Sequence, residues 1–562
     1  MNAERLLKHY EKTADAPDAI ARLRRFILDL AVRGKLVPQD RNDEPASELL
    51  KRIGQEKARL VQAGEIRTPK TIPALSERPF LIPSSWRWSQ LAELGVLSPR
   101  NEAADTLEAS FVPMPLIAAE YGAASQHEVR PWGEIKKGYT HFVEGDVGLA
   151  KITPCFENGK STVFRNLTGG MGAGTTELHI VRPLFVNQDY ILLFLKSPHF
   201  IETGIPKMTG TAGQKRVPTE YFAYSPFPLP PLAEQHRIAA KVYELMALCD
   251  QLAAARANRE ETRDRLAAAS LTRLNAPDPE TFQADARFAL NALPALTTRP
   301  DQIKALRQTI LNLAVHGKLV PQDLNDEPAS ELLKRIGAQA DYRNGNLAPE
   351  LPATWASALI EDCFIISGGM QKTPARTPRA NAFPYMGVGN VYRGRLDLAN
   401  VKKFELAAGE LERFRLEPQD ILVVEGNGSA SEIGRCAVWN GEIENCVHQN
   451  HIMRCRPKAL QLTAYAALYL NSPDGMAEMK RLAITSAGLF SLSVGKIRKI
   501  PFPLPPLAEQ LRIVAKVDTL MALCDRLEAS LVASAATRRR LLDALLAEAL
   551  APVEVLKLEA AE

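Results

Sequence analysis

The sequence lacks any long apolar run. Its longest candidate, Tyr190 to Leu195, has the length of a strand, whereas a membrane-spanning helix needs about 18 apolar residues or more. The first ten residues carry several charges and contain no apolar segment typical of a signal peptide. These observations predict a cytoplasmic protein without a membrane span or an export signal.

Cysteine and net charge are also scarce. The 562 residues include seven cysteines, an odd and thinly spread number that favours reduced thiols over a disulfide framework. The 69 basic and 65 acidic side chains leave a net charge of +4. This total neither indicates nor excludes a nucleic-acid partner, because binding depends on local clusters of charge.

Motifs for catalysis, cofactors and metals are missing as well. The segment 158–161 resembles the end of a phosphate loop, but Pro154 occupies the position of its first glycine. The glycines of 169–174 precede a strand-like segment and therefore predict a turn. One Cys/His cluster lacks the paired spacing of a zinc site and is interpreted as ordinary packing; its members are Cys436, Cys446, His448, His451 and Cys455. We expect a non-catalytic chain without its own cofactor or metal.

What the sequence has is an internal repeat with a period of about 280 residues. The segments 23–54 and 306–337 agree at 27 of 32 positions, and 226–252 and 501–527 agree at 22 of 27. Between these repeated frames lie two inserts, 55–225 and 338–500, which barely align. Gene conversion alone could keep the frames alike; the simpler interpretation is that both frames meet the same partner and the inserts meet different ones.

Apolar spacing predicts the local structure of the frames. The first frame should form one helix that stops at Gly34 and a second, capped by Asp43 or Glu44, that ends at Gly54. Long helices should run from Leu232 to about Asn275 and from Leu507 to about Leu550, each roughly 66 Å long at 1.5 Å per residue. Their heptad-like seams predict a pair of packed helices that hold the inserts apart. Three arginines interrupt the first seam, at Arg256, Arg259 and Arg263.

The inserts read as mixed α and β structure with short strands near 148–153, 176–181, 421–424 and 451–455. Residues 80–225 contain 13 basic and 14 acidic side chains, whereas residues 351–500 contain 18 and 14. Polar loops are candidates for contacts with phosphates and base edges. The candidate DNA-binding residues are Lys136, Lys137, Lys151, Lys160, Gln214, Lys215 and Arg216 in the first insert, and Lys372, Arg376, Arg393, Asn427, Lys496 and Arg498 in the second.

The frame phrases LAVRGKLVPQD, NDEPASELL and PLPPLAEQHRI closely resemble the repeated regions of specificity subunits of type I restriction-modification systems. The insert phrases at 148–160 and 421–454 look like target-recognition domains of that family. The resemblance implies an α+β fold in which two α/β target-recognition domains are separated by two long antiparallel coiled-coil helices with a pseudo-twofold repeat. The expected regions are 1–79, a target-recognition domain at 80–225, a central region at 226–337, a second target-recognition domain at 338–500, and 501–562.

The same resemblance implies a function and a set of partners. Each target-recognition domain would read one half of a bipartite, asymmetric site in double-stranded DNA, and the helices would set the spacer. Two modification subunits would dock and supply S-adenosylmethionine and adenine-N6 methyl transfer, and restriction subunits with an ATP-dependent translocase could join. Repeated polar residues are the candidate partner-binding set: Gln39, Asp40, Glu234, Gln235, Gln322, Asp323, Glu509 and Gln510. A coiled-coil adaptor that binds proteins is the alternative.

Overall fold

The structure, a computed structural model, describes residues 13–68, 70–75, 77–123, 125–211, 213–276, 278, 280–338, 351–427, 429, 432–486 and 489–551. The chain divides into two compact units. The first contains Met1–Arg259 and Ser534–Glu562, and the second contains Glu260–Ala533. Within the described residues, no helix is both long and apolar enough to cross a membrane.

The first unit contains a frame, an insert and the start of a long helix. Its helices are α1 (Ala19–Val32), α2 (Ala46–Gln62), α3 (Leu91–Leu94), α4 (Trp132–Ile135), α5 (Gln188–Lys196), α6 (Pro198–Gly204), α7 (Thr219–Tyr224) and α8 (Leu232–Asn275), of which α8 continues into the second unit. The side chain of Asn187 begins α5 by accepting bonds from the backbone N–H groups of Asp189 and Tyr190.

Among the described residues of this unit, ten strands form three sheets, and all lie in or beside the insert. They are β1 (Arg87–Ser89), β2 (Gly95–Leu97), β3 (Glu108–Val112), β4 (Glu128–Pro131), β5 (Thr140–Val143), β6 (Val147–Ala150), β7 (Ser161–Val163), β8 (Met171–Gly174), β9 (Leu178–Pro183) and β10 (Phe227–Leu229). The sheet orders are β1–β10, β2–β9–β6–β7 and β4–β3–β8–β5. Every residue of β6 is buried, so this strand lies at the centre of the domain.

The second unit repeats this plan. Its helices are α9 (Phe282–Leu296), α10 (Pro300–Val315), α11 (Ala329–Arg335), α12 (Ile360–Cys363), α13 (Glu410–Phe414), α14 (Leu462–Asn471), α15 (Pro473–Leu482), α16 (Val494–Arg498) and α17 (Leu507–Leu550), of which α17 returns to the first unit. Both long helices have 44 residues and the predicted bounds.

The strands of the second unit are β11 (Ala356–Leu359), β12 (Phe364–Gly368), β13 (Ala382–Met386), β14 (Val391–Tyr392), β15 (Arg395–Leu396), β16 (Lys402–Glu405), β17 (Asp420–Val424), β18 (Gly426–Asn427), β19 (Cys436–Trp439), β20 (Val447–His448), β21 (Ile452–Pro457), β22 (Ile484–Ser486), β23 (Leu489–Ser491) and β24 (Pro501–Leu504). Their sheets are β11–β24, β12–β21–β17–β19, β16–β13–β20, β14–β15 and β18–β23–β22. The α+β class with an internal repeat is confirmed.

In the first unit, the frame helix α1 contacts both long helices. Arg24 pairs with Asp250 of α8, while buried Ala19 packs with Leu542 near the end of α17. Lys35, just after α1, donates to the carbonyl oxygen of Leu550 at 2.7 Å. Each compact unit therefore includes the beginning of one long helix and the end of the other.

Helix α10 has the same two kinds of contact in the second unit. Arg307 pairs with Asp525 of α17 at 2.6 Å, and Asn312 donates to the carbonyl oxygen of Asn275 of α8 at 3.1 Å. The seam residues Ile513 and Val517 belong to the same core as α10. The apolar side chains of the long helices, which were predicted to contact each other, thus pack at least in part against the frame helices.

Two local predictions for the first frame are wrong. Helix α2 continues past Gly54 to Gln62, because Gly54 takes an ordinary backbone conformation, and Gly64 with a φ of +71° follows the end of the helix. No side chain caps its start, where the N-cap is Pro45. Asp43 instead binds Arg237 of α8 through both carboxylate oxygens, at 3.1 and 2.6 Å.

Candidate nucleic-acid interface

The two inserts share a scaffold that their sequences scarcely reveal. In the first, β6 lies between β9 and β7, and all the pairings are antiparallel. In the second, β17 lies between β21 and β19 with the same orientations. Each four-stranded sheet is completed by an outer strand, β2 or β12, beside the long strand β9 or β21. The inserts therefore differ in what this common sheet carries.

An ion pair between a buried aspartate and a half-buried arginine marks the scaffold in both inserts. Asp146 accepts two bonds of 2.9 Å from Arg182, and Asp420 accepts bonds of 2.9 and 2.8 Å from Arg456. Burial raises the pKa of Asp146, and the bonds from Arg182 oppose this shift. Sequence analysis missed this pair. The signal was an aspartate 36 residues before an Arg-Pro dipeptide in each insert.

Two predicted DNA contacts of the first insert have ionic partners inside it. Arg216 binds both carboxylate oxygens of Glu177, at 2.8 and 2.9 Å, and the pKa of Glu177 is lowered chiefly by this bond. Lys136 pairs with Asp105. A DNA phosphate would have to displace these carboxylates, so both cations contribute less positive potential than an isolated charge would.

The other candidates of this insert differ in exposure. Lys160 is half-buried and donates to the carbonyl oxygen of Met114 at 3.2 Å. Lys151 is also half-buried. The exposed candidates are Lys137, Gln214 and Lys215. The structure thus leaves two lysines and one glutamine as the accessible members of the predicted set.

Internal partners also hold several cations of the second insert. Arg376 binds Glu410 through two bonds of 2.8 Å, which lower the pKa of Glu410 to about 2. Lys496 donates to the carbonyl oxygen of Leu482. Arg393 donates to the amide oxygen of Asn471 at 3.3 Å. These three candidates lie among internal acceptors.

Exposed cations remain in this insert as well. Lys372 and Arg498 are exposed, although Arg498 also approaches the carbonyl oxygen of Ile366 at 3.4 Å. The exposed guanidinium of Arg395 lies over the ring of Tyr392, 4.3 Å from its centroid. The backbone of Asn427 lies in β18, and its side chain lies outside the described residues.

The polar residues repeated in the frames form an internal clasp. In the first copy, Glu234 at the start of α8 is 1% exposed. Its two carboxylate oxygens accept bonds from Gln39 at 2.6 Å and from the indole N–H of Trp86 at 2.9 Å. Burial raises the pKa of Glu234, while the two bonds oppose that shift. The clasp joins the frame loop, the residue just before β1 and the long helix.

The second copy repeats these contacts nearly atom for atom. Glu509 accepts bonds from Gln322 at 2.5 Å and from Trp355 at 2.9 Å. Next to each glutamate, a buried glutamine donates to a proline carbonyl at 2.9 Å; these are Gln235 and Gln510. Burial removes Glu234, Gln235, Glu509 and Gln510 from the surface, so folding of the frame accounts for their repetition. Of the predicted partner-binding residues, Gln39, Asp40, Gln322 and Asp323 are exposed.

The Cys/His cluster is packed as expected. Cys436, Cys446, Cys455 and His448 are buried, while exposed His451 lies 3.0 Å from the carboxylate of Glu425. Burial raises the pKa of Cys436 and of Cys446 to about 12. Across the described residues, no group of three or more His, Cys, Asp and Glu side chains is arranged to hold a metal ion.

The chain is similar to several known proteins. A family model described as the type I restriction modification DNA specificity domain matches residues 352–534. The chain is 38% identical to the specificity subunit of the type I restriction enzyme EcoEI of Escherichia coli and 36% identical to that of EcoAI, each over 94% of this chain and 93% of the relative. The crystal structure of the HsdS subunit from Thermoanaerobacter tengcongensis aligns with 85% of this chain and 99% of its own, at 19% identity and a TM-score of 0.46. The chain belongs to the specificity subunits of type I restriction-modification systems, whose members are not the catalytic subunits.

Proposed function

We propose that the two inserts are target-recognition domains, each of which reads one half of a bipartite, asymmetric DNA sequence. The observation that carries this proposal is the contrast within the chain: the frames agree residue by residue, whereas the inserts keep a scaffold and change its loops. Two different recognition domains on equivalent frames predict two different half-sites. The net charges, −1 for residues 80–225 and +4 for residues 351–500, favour stronger phosphate attraction by the second domain.

Within each domain, the exposed candidates are the proposed DNA contacts. Lys137 and Lys215 of the first domain and Lys372 of the second are positioned for phosphate contacts, because exposed ammonium groups can reach the backbone without losing an internal partner. Gln214 is the proposed base reader of the first domain. In the second domain, the ring of Tyr392 supports the guanidinium of Arg395 and presents it to the solvent.

The long helices are proposed to set the spacer between the half-sites. Each has 44 residues, and a helix of fixed length sets a distance as dimer geometry does in other DNA-binding proteins. Adding one helical turn to both α8 and α17 should lengthen the recognised spacer while leaving both half-sites unchanged. Sequencing of methylated sites made by the altered complex measures this.

The frames are proposed to dock two modification subunits, one on each copy. Repeated side chains that stay on the surface support this: Leu248 of α8 is 44% exposed and Leu523, its equivalent in α17, is 41% exposed. Two equal surfaces suit two copies of one partner. These partners would bring S-adenosylmethionine and adenine-N6 methyl transfer, and restriction subunits with an ATP-dependent translocase would join the complex. The proposed place of action is the cytoplasm, where such a complex meets DNA.

Docking can be tested one surface at a time. Leu248→Lys should remove one of two modification subunits, and Leu523→Lys should remove the other, because a charge cannot be buried in an apolar contact without a large cost. Native mass spectrometry of the assembled complex counts the subunits. Retention of both subunits in both variants would contradict this surface assignment. Leu81→Lys, at a 77% exposed position outside the repeated frames, is the matched control.

The experiment that tests the whole proposal maps methylated adenines in DNA exposed to the assembled complex. The expected result is one asymmetric sequence with two specified parts separated by a fixed number of unspecified base pairs. Methylation without sequence preference would contradict DNA reading and favour a coiled-coil adaptor that binds proteins. Methylation by the purified chain without any partner would contradict its non-catalytic role.

A further inference from the structure

One loop occupies the same place in both recognition domains. It follows β3 in the first and β13 in the second, and it begins with a 3-10 turn, Met114–Leu116 or Val388–Asn390. Both turns begin the same number of residues before the buried aspartate of the scaffold. We call residues 114–122 and 388–396 the turn loops. Because the two turn loops occupy the same position on a shared scaffold, the hydrogen bonds that hold them can be compared.

A cation ties the start of each turn loop to the scaffold. Lys160, just before β7, donates to the carbonyl oxygen of Met114 at 3.2 Å. Arg435, just before β19, donates to the carbonyl oxygen of Val388 at 2.8 Å. The two cations stand at equivalent positions, one residue after glycines with φ of +67° and +62°. The same tie is therefore made by lysine in one domain and arginine in the other.

A second cation ties the later part of the first turn loop. Lys196, the last residue of α5, is 7% exposed. Its ammonium group donates to the carbonyl oxygens of Ala119 in the loop and of Gly159 before β7, at 2.7 and 2.8 Å. A hydrocarbon side chain would fill this space without desolvating a charge. What Lys196 adds is a pair of hydrogen bonds that connect the end of α5 to the turn loop and to the segment before β7.

In the second domain the corresponding contact joins an uncharged residue of the helix to a cation of the turn loop. Asn471, the last residue of α14, donates to the carbonyl oxygen of Cys436 in β19 at 3.1 Å. Arg393 reaches from the loop to the amide oxygen of Asn471 at 3.3 Å and to the carbonyl oxygen of Ile433 at 3.4 Å. The cation is on the helix in one domain and on the loop in the other.

From these paired ties we infer that Lys160 and Lys196, and in the second domain Arg435 and Arg393, are positioning residues that hold the turn loops in register for half-site recognition. The inference rests on the proposed function and refines it. Lys160 and Arg393, predicted as DNA contacts, act on recognition through the loop, because their donors meet acceptors within the chain. Each turn loop is thereby assigned to the DNA-reading part of its domain.

The exchanged charge gives a direct test by transplantation. Lys196→Met removes the tie and should reduce discrimination at the first half-site by about tenfold, as expected when buried carbonyl oxygens lose their donor. Discrimination at the second half-site should not change. The double variant A119R/K196N rebuilds the arrangement of the second domain, and exposed Ala119 leaves room for the longer side chain. It should recover at least part of the lost discrimination.

Methylated adenines are sequenced after reaction with the full assembled complex, and thermal unfolding of each variant is recorded beside it. The reciprocal variant R393A should relax the second half-site alone. Lys35→Met, which removes a half-buried donor from the frame instead of a turn loop, is the control and should relax neither half-site selectively. Because the double variant restores a tie, it decides the question if K196M folds poorly.

Equal loss at both half-sites in K196M, or no recovery in A119R/K196N, would overturn the positioning role while leaving the proposed function intact. Failure of the proposed function is seen separately, as an unaltered complex that methylates without a bipartite preference. First-half relaxation that the double variant reverses supports the inference.

Discussion

The two frames of this chain are nearly identical to each other, whereas the two inserts share a scaffold and differ in their loops. In the frames, sequence and contacts repeat together. The bonds from the indole N–H groups of Trp86 and Trp355 to their carboxylates are both 2.9 Å. The shorter bonds of the equivalent pairs Asp43–Arg237 and Asp326–Arg512 are both 2.6 Å. In the inserts, sheet order and one buried ion pair repeat, whereas the loops and their charges do not. A constant frame around variable loops is the arrangement expected when one partner is shared and two DNA sequences differ.

The comparison also separates two reasons for repetition. Glu234 and Glu509 are repeated because a buried carboxylate must keep its two donors. Leu248 and Leu523 have no such internal reason, because they are 44% and 41% exposed. Identity of buried polar residues within the frame therefore indicates folding, and exposed apolar identity indicates a docking surface.

The largest expected loss of stability comes from the ion pair of the insert scaffold. Asp146→Ala leaves Arg182 without its carboxylate and should lower the free energy of unfolding by about 3 kcal/mol. Asp420→Ala should cost a similar amount in the second domain, since the pair is repeated there. Urea unfolding followed by tryptophan fluorescence measures both. A large loss of stability in only one of the two variants would show that the two scaffolds differ in energy although their contacts are the same.

Breaking the frame clasp should cost slightly less. Glu234→Ala leaves the Trp86 indole N–H without its buried acceptor, with an expected cost of about 2 kcal/mol. Glu509→Ala should match it within about 0.5 kcal/mol if the frames are energetically equal. The same urea titrations measure the difference. Unequal costs would contradict the equivalence of the two frames.

A pH effect should distinguish the two domains. Burial lowers the pKa of Lys196 from its ordinary value of 10.5 to about 7, and Glu120 opposes this shift. Between these values the unfolded chain holds more protons than the folded one, so the free energy of unfolding should rise with pH, by about 1 kcal/mol per unit. Thermal unfolding from pH 7 to 9 measures this. K196M should reduce this rise, and the part that remains is expected from Lys57, whose pKa burial lowers to about 8. A rise of unchanged size in K196M would contradict the assignment to Lys196.

The smallest effect is expected at the exposed edge of the frame. Asp40→Ala and Asp323→Ala should each change the free energy of unfolding by less than about 0.5 kcal/mol, because both carboxylates are exposed. Loss of a modification subunit without loss of stability would assign them to docking. Unchanged assembly would restrict the docking surface to the helices.

Sequence predicted regular elements better than it predicted polar contacts. The bounds of α8 and α17 follow from long helical spacing and from the proline run before each helix. The clasp of Glu234 could not be predicted, because its donors lie 148 and 195 residues away and depend on tertiary packing. For the same reason the sequence could not show that Arg216 and Arg376 bind carboxylates, because their partners Glu177 and Glu410 are brought to them by the fold.

Recognition of one half-site by each insert is most directly tested by exchange. Residues 338–500 are replaced with the corresponding insert of another specificity subunit, and methylated adenines are sequenced after reaction with the assembled complex. The account predicts that one half of the recognised sequence changes, while the other half and the spacer stay the same. A change in both halves, or in neither, would contradict it.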